Sequence, residues 1–341
     1  MIKIFLGLIV SSFLFAGDLA NKKEFMKMCE NPTPSQKITF EALAKDNRVK
    51  NDEQMCAYLY ARTGTSSFSS ANADATNITD LSPLKFFLNL ESVRLYDNKV
   101  KDISILKHLT KLKELDLYDN PVSDLSALKD LKHLEDLNLY STQVSDLSPI
   151  NNIKTLKSLS YSGEKANSII NIQQIKDLVN LEYLGILFAE TKNFYLINNF
   201  TKLTHFNPDD SVTNKDMNSL TNLKKLKRLD LDDAKLITNL DFILNFPNMQ
   251  ELFLENTSIK DISVLKKLSN LTILNISNTQ VTDASGIMAN TDVNPMYLVF
   301  RADNTPLKWC SPKNTQDIRN GKSCFNEDGT LKPFYKRWLG L

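Results

Sequence analysis

Four leucines, Leu90, Leu112, Leu134 and Leu156, stand 22 residues apart, and each opens the same phrase. It reads Leu90-x-x-Val93-x-Leu95-x-x-Asn98-x-Val100, then Leu112-x-x-Leu115-x-Leu117-x-x-Asn120-x-Val122, then Leu134-x-x-Leu137-x-Leu139-x-x-Thr142-x-Val144. A period this short restricts the fold severely. One copy cannot bury its own apolar face, so copies must stack and the chain must grow as an array rather than close around separate cores. Alternation in the Leu-x-Leu step turns two side chains inward and exposes the residues between them, giving one short parallel strand per copy. The Asn or Thr that follows can bond backbone groups left unpaired where the chain bends; Glu164, Ala189 and Ala234 at that position weaken the ladder locally. Too few residues remain for a full helix on the far side. We expect 3-10 or single-turn pieces there, started by Asp80, Asp102, Asp124, Asp146, Asp261 and Asp283.

Counting back from Leu90, Ala71, Ala73 and Ile78 already fall in phase. In the irregular middle a three-residue apolar spacing survives before each phrase: Ile172, Ile175 and Leu178 precede Leu181, and Met217, Leu220 and Leu223 precede Leu226. The extra residues therefore lie between strand and outer segment, at about Ser162 to Ser168, Pro208 to Asn214 and Asp232 to Ile237, all along one rim. The array spans 68–307, about ten to eleven repeats. This phrase resembles the leucine-rich repeat, most closely the 22-residue, internalin-like bacterial class. The resemblance implies an α/β solenoid, a horseshoe with a concave parallel sheet, short 3-10 or irregular convex segments and a cap at each end.

Residues 17–67 read as a helical first cap, with helices at Lys22 to Met28, Thr39 to Lys45 and Asp52 to Arg62 broken by Pro32 and Pro34, and residues 308–341 as the second cap. Ahead of them, Met1-Ile2-Lys3 and an uncharged apolar run from Ile4 to Gly17 form a signal peptide, 1–16, cut near Ala16. The run is shorter than the roughly 20 residues a membrane-spanning helix needs. The expected location is therefore secreted or periplasmic, in a bacterium. Cys29 and Cys56 precede the array and Cys310 and Cys324 follow it. Four cysteines allow three pairings. An array about 50 Å long, at ~4.8 Å per strand, separates the two ends and leaves Cys29 with Cys56 and Cys310 with Cys324.

Function has to be read from the exposed strand positions, because the fold hosts many activities. One column begins with Tyr96-Asp97, Tyr118-Asp119 and Tyr140, passes Leu187-Phe188, and becomes acidic at Asp209-Asp210, Asp232-Asp233 and Glu255. Neighbouring columns add Glu114, Asp116, Asp136, Asp230 and Glu251, with Tyr183 and Phe253 on the same face. Twelve carboxylates there face only Arg94, Arg228 and Arg301, on a chain whose formal net charge is +1, so the convex side must be basic. Like charges on adjacent strands destabilise. We read the face as a docking surface for a basic protein, with aromatic anchors; the plainer reading is a solubilising face whose tyrosines are good strand formers. The balanced charge excludes general attraction to nucleic acid or an anionic membrane. No H-E-x-x-H, G-x-S-x-G or phosphate-loop pattern occurs, and no cofactor is expected. The expectation is a monomeric, non-enzymatic binder, and the resemblance implies adhesion or host interaction. The alternatives are a periplasmic assembly or scaffolding protein, or a glycan or divalent-cation binder in which His205 joins Asp209, Asp210, Asp230 and Asp232.

Overall fold

The computed structural model describes residues 21–45, 52–63, 70–163, 168–187, 189–284 and 299–307. The expected signal segment, Phe188, the Cys310 and Cys324 pair and the expected C-terminal cap lie outside the described residues. The chain divides into two compact units, Met1–Glu164 and Lys165–Leu341. Their boundary coincides with the stretch where the sequence carries its first extra residues. Among the described residues no helix is long and apolar enough to cross a membrane.

The first unit opens with three helices: α1 (21–30), α2 (Pro34–Lys45) and α3 (Asp52–Thr63). Pro34 begins α2 rather than breaking a helix, because a first-turn residue has no intrahelical partner for its N–H and the proline φ already suits the turn. Thr33 and Gln36 complete the start: the Gln36 N–H donates to Thr33 Oγ1 at 3.2 Å and the Thr33 N–H to Gln36 Oε1 at 3.1 Å, a reciprocal capping box. The expected Cys29–Cys56 disulfide joins α1 to α3. Phe25, fully buried, packs against Phe40 and Tyr60 of the cap and against Phe86 and Phe87 of the first repeat, at centroid distances of 5.7, 5.4, 5.1 and 6.2 Å. Thr39 Oγ1 donates to the Asp80 carbonyl at 2.7 Å. The cap thus covers the apolar end that a terminal repeat would expose to water.

Five parallel strands follow in chain order: β1 (Ser70–Asn72), β2 (Ser92–Arg94), β3 (Glu114–Asp116), β4 (Asp136–Leu139) and β5 (Ser158–Ser162). Register obeys the sequence period, with Val93 opposite Leu115, Leu115 opposite Leu137 and Leu137 opposite Leu159. The phrase leucines Leu112, Leu115 and Leu117 are buried. Each buried leucine stabilises the stack by about 2 kcal/mol. Opposite the strands lie 3-10 turns at Ser82–Phe86, Ser104–His108, Ser126–Leu128 and Ser148–Ile150. As expected, an aspartate starts each one. Asp80, Asp102, Asp124 and Asp146 accept the backbone N–H of the serine two residues on, at 2.7 to 2.9 Å. The Ser104 and Ser126 hydrogen bonds hold Asp102 and Asp124 below the usual carboxylate range.

The asparagine ladder is the device that stitches repeats together. Asn120 Nδ2 donates to the Leu95 carbonyl of the preceding copy at 2.7 Å and to the Leu117 and Tyr118 carbonyls of its own, while its Oδ1 accepts the Val100 N–H at 3.0 Å. Asn98 repeats the pattern with Ala73, Leu95 and Ile78. Among the described residues Thr142 makes only one such bond, to the Leu139 carbonyl. On the flank before the strands, Glu91 pairs with Lys113 and Glu135 with Lys157, each at 2.7 Å.

In the second unit, six parallel strands run in the order β7 (Tyr183–Leu187), β9 (His205–Asn207), β10 (Arg228–Asp230), β11 (Glu251–Phe253), β12 (Ile273–Asn275) and β13 (Val299–Arg301). A second, two-stranded parallel sheet was not legible in the sequence: β6 (Ser168–Asn171) pairs with β8 (Ala189–Lys192). Regular copies make one interrepeat bond after the turn, as between Gln143 N and Val122 O or between Lys99 N and Ile78 O. Between the lengthened copy that opens at Leu156 and the 22-residue copy that opens at Leu181 this contact widens into a ladder, and Asn193 Nδ2 extends it to Asn171 Oδ1 at 2.9 Å. Of the three insertions expected to adjoin on one rim, the second meets the chain just past the third. Asn214, which opens the single-turn helix α4 (Asn214–Asn218), accepts the Thr238 N–H at 2.8 Å and donates to the Asn239 carbonyl at 2.7 Å.

Candidate functional site

The strand face of the first unit presents a tyrosine at each of three successive turns. Backbone bonds from Asp97 N to Tyr118 O and from Asp119 N to Tyr140 O put Tyr96, Tyr118 and Tyr140 on neighbouring rungs. The Tyr96 and Tyr118 rings lie 4.9 Å apart, tilted by 34°. Tyr96 is 43% exposed, an unusual amount of aromatic surface in water, while Tyr118 and Tyr140 are half-buried. Their backbones are pinned from below: the Tyr96, Tyr118 and Tyr140 N–H groups donate to Asp74, Asp116 and Asn138 Oδ1 at 3.0, 3.0 and 3.1 Å.

Part of the acidic pattern has a backbone cause that sequence reading missed. Asp97, Asp119 and Asp233 have φ of 53°, 53° and 64°, and the equivalent Ser141, Asn256 and Asn278 have 55°, 58° and 55°. This left-handed turn favours Asp and Asn, whose short polar side chains hydrogen-bond locally. The signal was available, since Asp, Asn and Ser alternate at that one position. Geometry explains the residue type at that column; it does not neutralise the charge, and Asp97 and Asp119 remain exposed. No donor among the described residues reaches either carboxylate. Asp136, on β4, reaches solvent, yet crowding by neighbouring strands raises its carboxyl above the usual range, opposed by a Ser158 hydrogen bond and reinforced by Glu114 and Asp116.

In the second unit the expected residues divide. Asp209 is corrected from surface carboxylate to buried loop anchor, 4% exposed, accepting the Ser211 N–H at 2.8 Å, because Pro208 and the following insertion turn it inward. Glu251 and Asp230 are partly neutralised by Arg228, which lies 2.8 Å from Glu251 and 3.7 Å from Asp230 and stacks 4.2 Å over the Phe253 ring. Tyr183 and Leu187 are half-buried on β7, and Asp210 is exposed. Asp232 accepts the Glu255 N–H at 2.6 Å; burial and the neighbouring Asp230, Glu255 and Asp233 push its carboxyl up to about 6. Glu255 accepts from Asn275 and Asn278. Arg228 therefore stands where the proposed divalent cation would need free carboxylates. Among the described residues no group of three His, Cys, Asp or Glu side chains is disposed to hold a metal ion.

Strand, Asn ladder and 3-10 turn at a 22-residue period, under a helical cap, decide the fold. The chain has the leucine-rich-repeat fold. A family model described as leucine-rich repeats in two copies matches residues 110–152 and 247–287. The leucine-rich-repeat chain is similar to an internalin of Listeria monocytogenes, with a TM-score of 0.61 and 22% identity over 82% of this chain and 79% of that one. It is also similar to a leucine-rich-repeat protein of Leptospira interrogans, with a TM-score of 0.56 and 22% identity over 75% and 71% of the two chains. No curated relative matches.

Proposed function

We propose that this leucine-rich-repeat protein is a non-catalytic binder, secreted or periplasmic, that docks a basic protein on its strand face. The reading rests above all on the exposed Tyr96 ring and the half-buried Tyr118 ring next in sequence to the carboxylates of Asp97 and Asp119, which have no internal partner among the described residues. A sheet selected for stability alone would alternate its charges, as the Glu91, Lys113, Glu135 and Lys157 flank does. Aromatic anchors supply affinity once buried, and the surrounding carboxylates speed encounter with a basic partner. Likeness to an internalin supports a binding role, since internalin-like repeat proteins are typically non-enzymatic binders. Adhesion or host contact is the setting this likeness suggests.

A photo-cross-linking residue at position 118 should capture the partner from the native compartment, whereas the same residue at 132, beside the 3-10 turns, should not. Capture from 132 alone would move the interface to the opposite side. Location is checked separately, by recovering the mature protein from periplasm or medium and sequencing its new N-terminus, expected next to Ala16.

A further inference from the structure

We propose that the Tyr96–Tyr118 step is a receptor for a guanidinium group, an arginine side chain carried by an extended segment of the protein partner. The inference rests on the docking reading above and narrows it from a basic partner to one cation chemistry.

The second unit shows what this kind of surface does with an arginine. Arg228 sits over the Phe253 ring with its guanidinium carbon 4.2 Å from the centroid, and its two terminal nitrogens reach Glu251 at 2.8 Å and Asp230 at 3.7 Å. All four residues lie on adjacent strands β10 and β11, with Asp230 in register with Phe253 and Arg228 with Glu251. An aromatic plane and two carboxylates one strand apart are therefore enough, on this fold, to hold a guanidinium.

The first unit has the same components without the arginine. Tyr96 and Tyr118 offer π-faces on adjacent rungs, and the 43% exposure of Tyr96 leaves its ring free for stacking. Asp97 and Asp119 follow the rings directly and are held in the left-handed turn at φ 53°, which fixes where their carboxylates start. Glu114, Asp116 and Asp136 add negative potential on β3 and β4. Arg94 is the opposing charge. It is exposed on β2, in register with Asp116, and makes no ion pair with it among the described residues. One cation against these carboxylates leaves the step acidic.

Guanidinium fits better than ammonium for two reasons. It is planar, so it stacks on a tyrosine face while its edge still donates, and its forked donors can serve two carboxylates at once. It is also more weakly hydrated, so leaving water for a half-exposed site costs it less. A lysine ammonium would answer the charge alone.

The test uses the full mature protein and three ten-residue peptides of alternating glycine with arginine, lysine or citrulline, titrated calorimetrically at low and moderate salt. The arginine peptide should bind at least tenfold more tightly than the lysine peptide, and the neutral, isosteric citrulline peptide should not bind measurably. Tyr96→Leu should weaken the arginine peptide at least tenfold, whereas Tyr96→Phe, which keeps the ring, should stay within about threefold of the parent. Tyr96 is exposed, so both variants should fold, with circular dichroism as the check. Equal binding of arginine and lysine peptides would overturn the guanidinium inference while leaving docking of a basic partner standing. An arginine affinity indifferent to Tyr96→Leu, or no arginine binding at all, would equally overturn it. Cross-linking from position 118 then decides the docking reading on its own.

Discussion

Replacing Asn120 with alanine removes one side chain and strands two backbone groups, the Val100 N–H and the Leu117 carbonyl. Asn120 is 2% exposed, donates to the Leu95, Leu117 and Tyr118 carbonyls, and accepts the Val100 N–H. In Asn120→Ala the Val100 N–H loses its acceptor, at a cost of about 1–3 kcal/mol, and the Leu117 carbonyl loses a donor, adding about 0.5–1 kcal/mol, whereas the Leu95 carbonyl keeps Asn98 Nδ2 and the Tyr118 carbonyl keeps the Asp97 N–H. The total expected loss is ~2–4 kcal/mol. Thr142→Ala deletes a single bond, to the Leu139 carbonyl, and should cost about 1 kcal/mol. Urea denaturation gives the two free energies, and hydrogen exchange shows where the loss lies. Because each repeat touches only its neighbours, the Val100 amide and those of the adjoining rungs should lose protection before distant copies do. Equal costs for the two variants, with Val100 still protected in Asn120→Ala, would show that the ladder is incidental to stacking.

Three further outcomes follow from the geometry. Cys29→Ser opens a bridge spanning 27 residues, and should lower stability by roughly 3 to 4 kcal/mol in the chain-entropy model; thermal unfolding with proteolysis should show the loss beginning at α1 and the first repeat. Asp232 is raised to about 6, so the fold binds a proton that the unfolded chain releases near pH 4: its favourable contribution is full below about pH 4 and is lost as pH rises through about 6. Asp232→Asn, which keeps an acceptor for Glu255 N, should therefore stabilise at pH 7 by at most about 1 kcal/mol once solvent screening is allowed for, with no gain at pH 4. A stability curve that falls on substitution at both pH values would contradict the assignment. Once a partner is in hand, Tyr118→Ala should weaken binding at all salt concentrations, by about 2 kcal/mol if the ring is buried in the complex, whereas Asp119→Asn should act chiefly at low salt. Asn tolerates the left-handed φ of 53°, so this substitution changes charge without straining the turn; indifference of binding to both variants would remove the strand face from the interface.

By itself the sequence determined the period and everything the period entails. Apolar residues at fixed offsets from Leu90 place one strand per copy, put Val93, Leu115 and Leu137 in register, and leave room only for 3-10 turns on the other side. The aspartates that start those turns and the Cys29–Cys56 pairing were legible for the same reason, because they depend on neighbours close in the chain or on which end a residue occupies. Tertiary structure decided whatever depends on contact between copies of unequal length. Sequence offsets could not show that the first insertion widens a single bond into the β6 and β8 ladder, since pairing depends on how far each loop reaches across the next. The site divides along the same line: its exposed columns followed from alternation, but their charge state did not. Arg228 neutralises Glu251 only because β10 and β11 lie side by side, and Asp209 turns inward only because the loop after Pro208 bends there. A carboxylate's partners are set by distances of a few ångströms between strands some 22 residues apart, and a period specifies which residues share a column but not which of them bond.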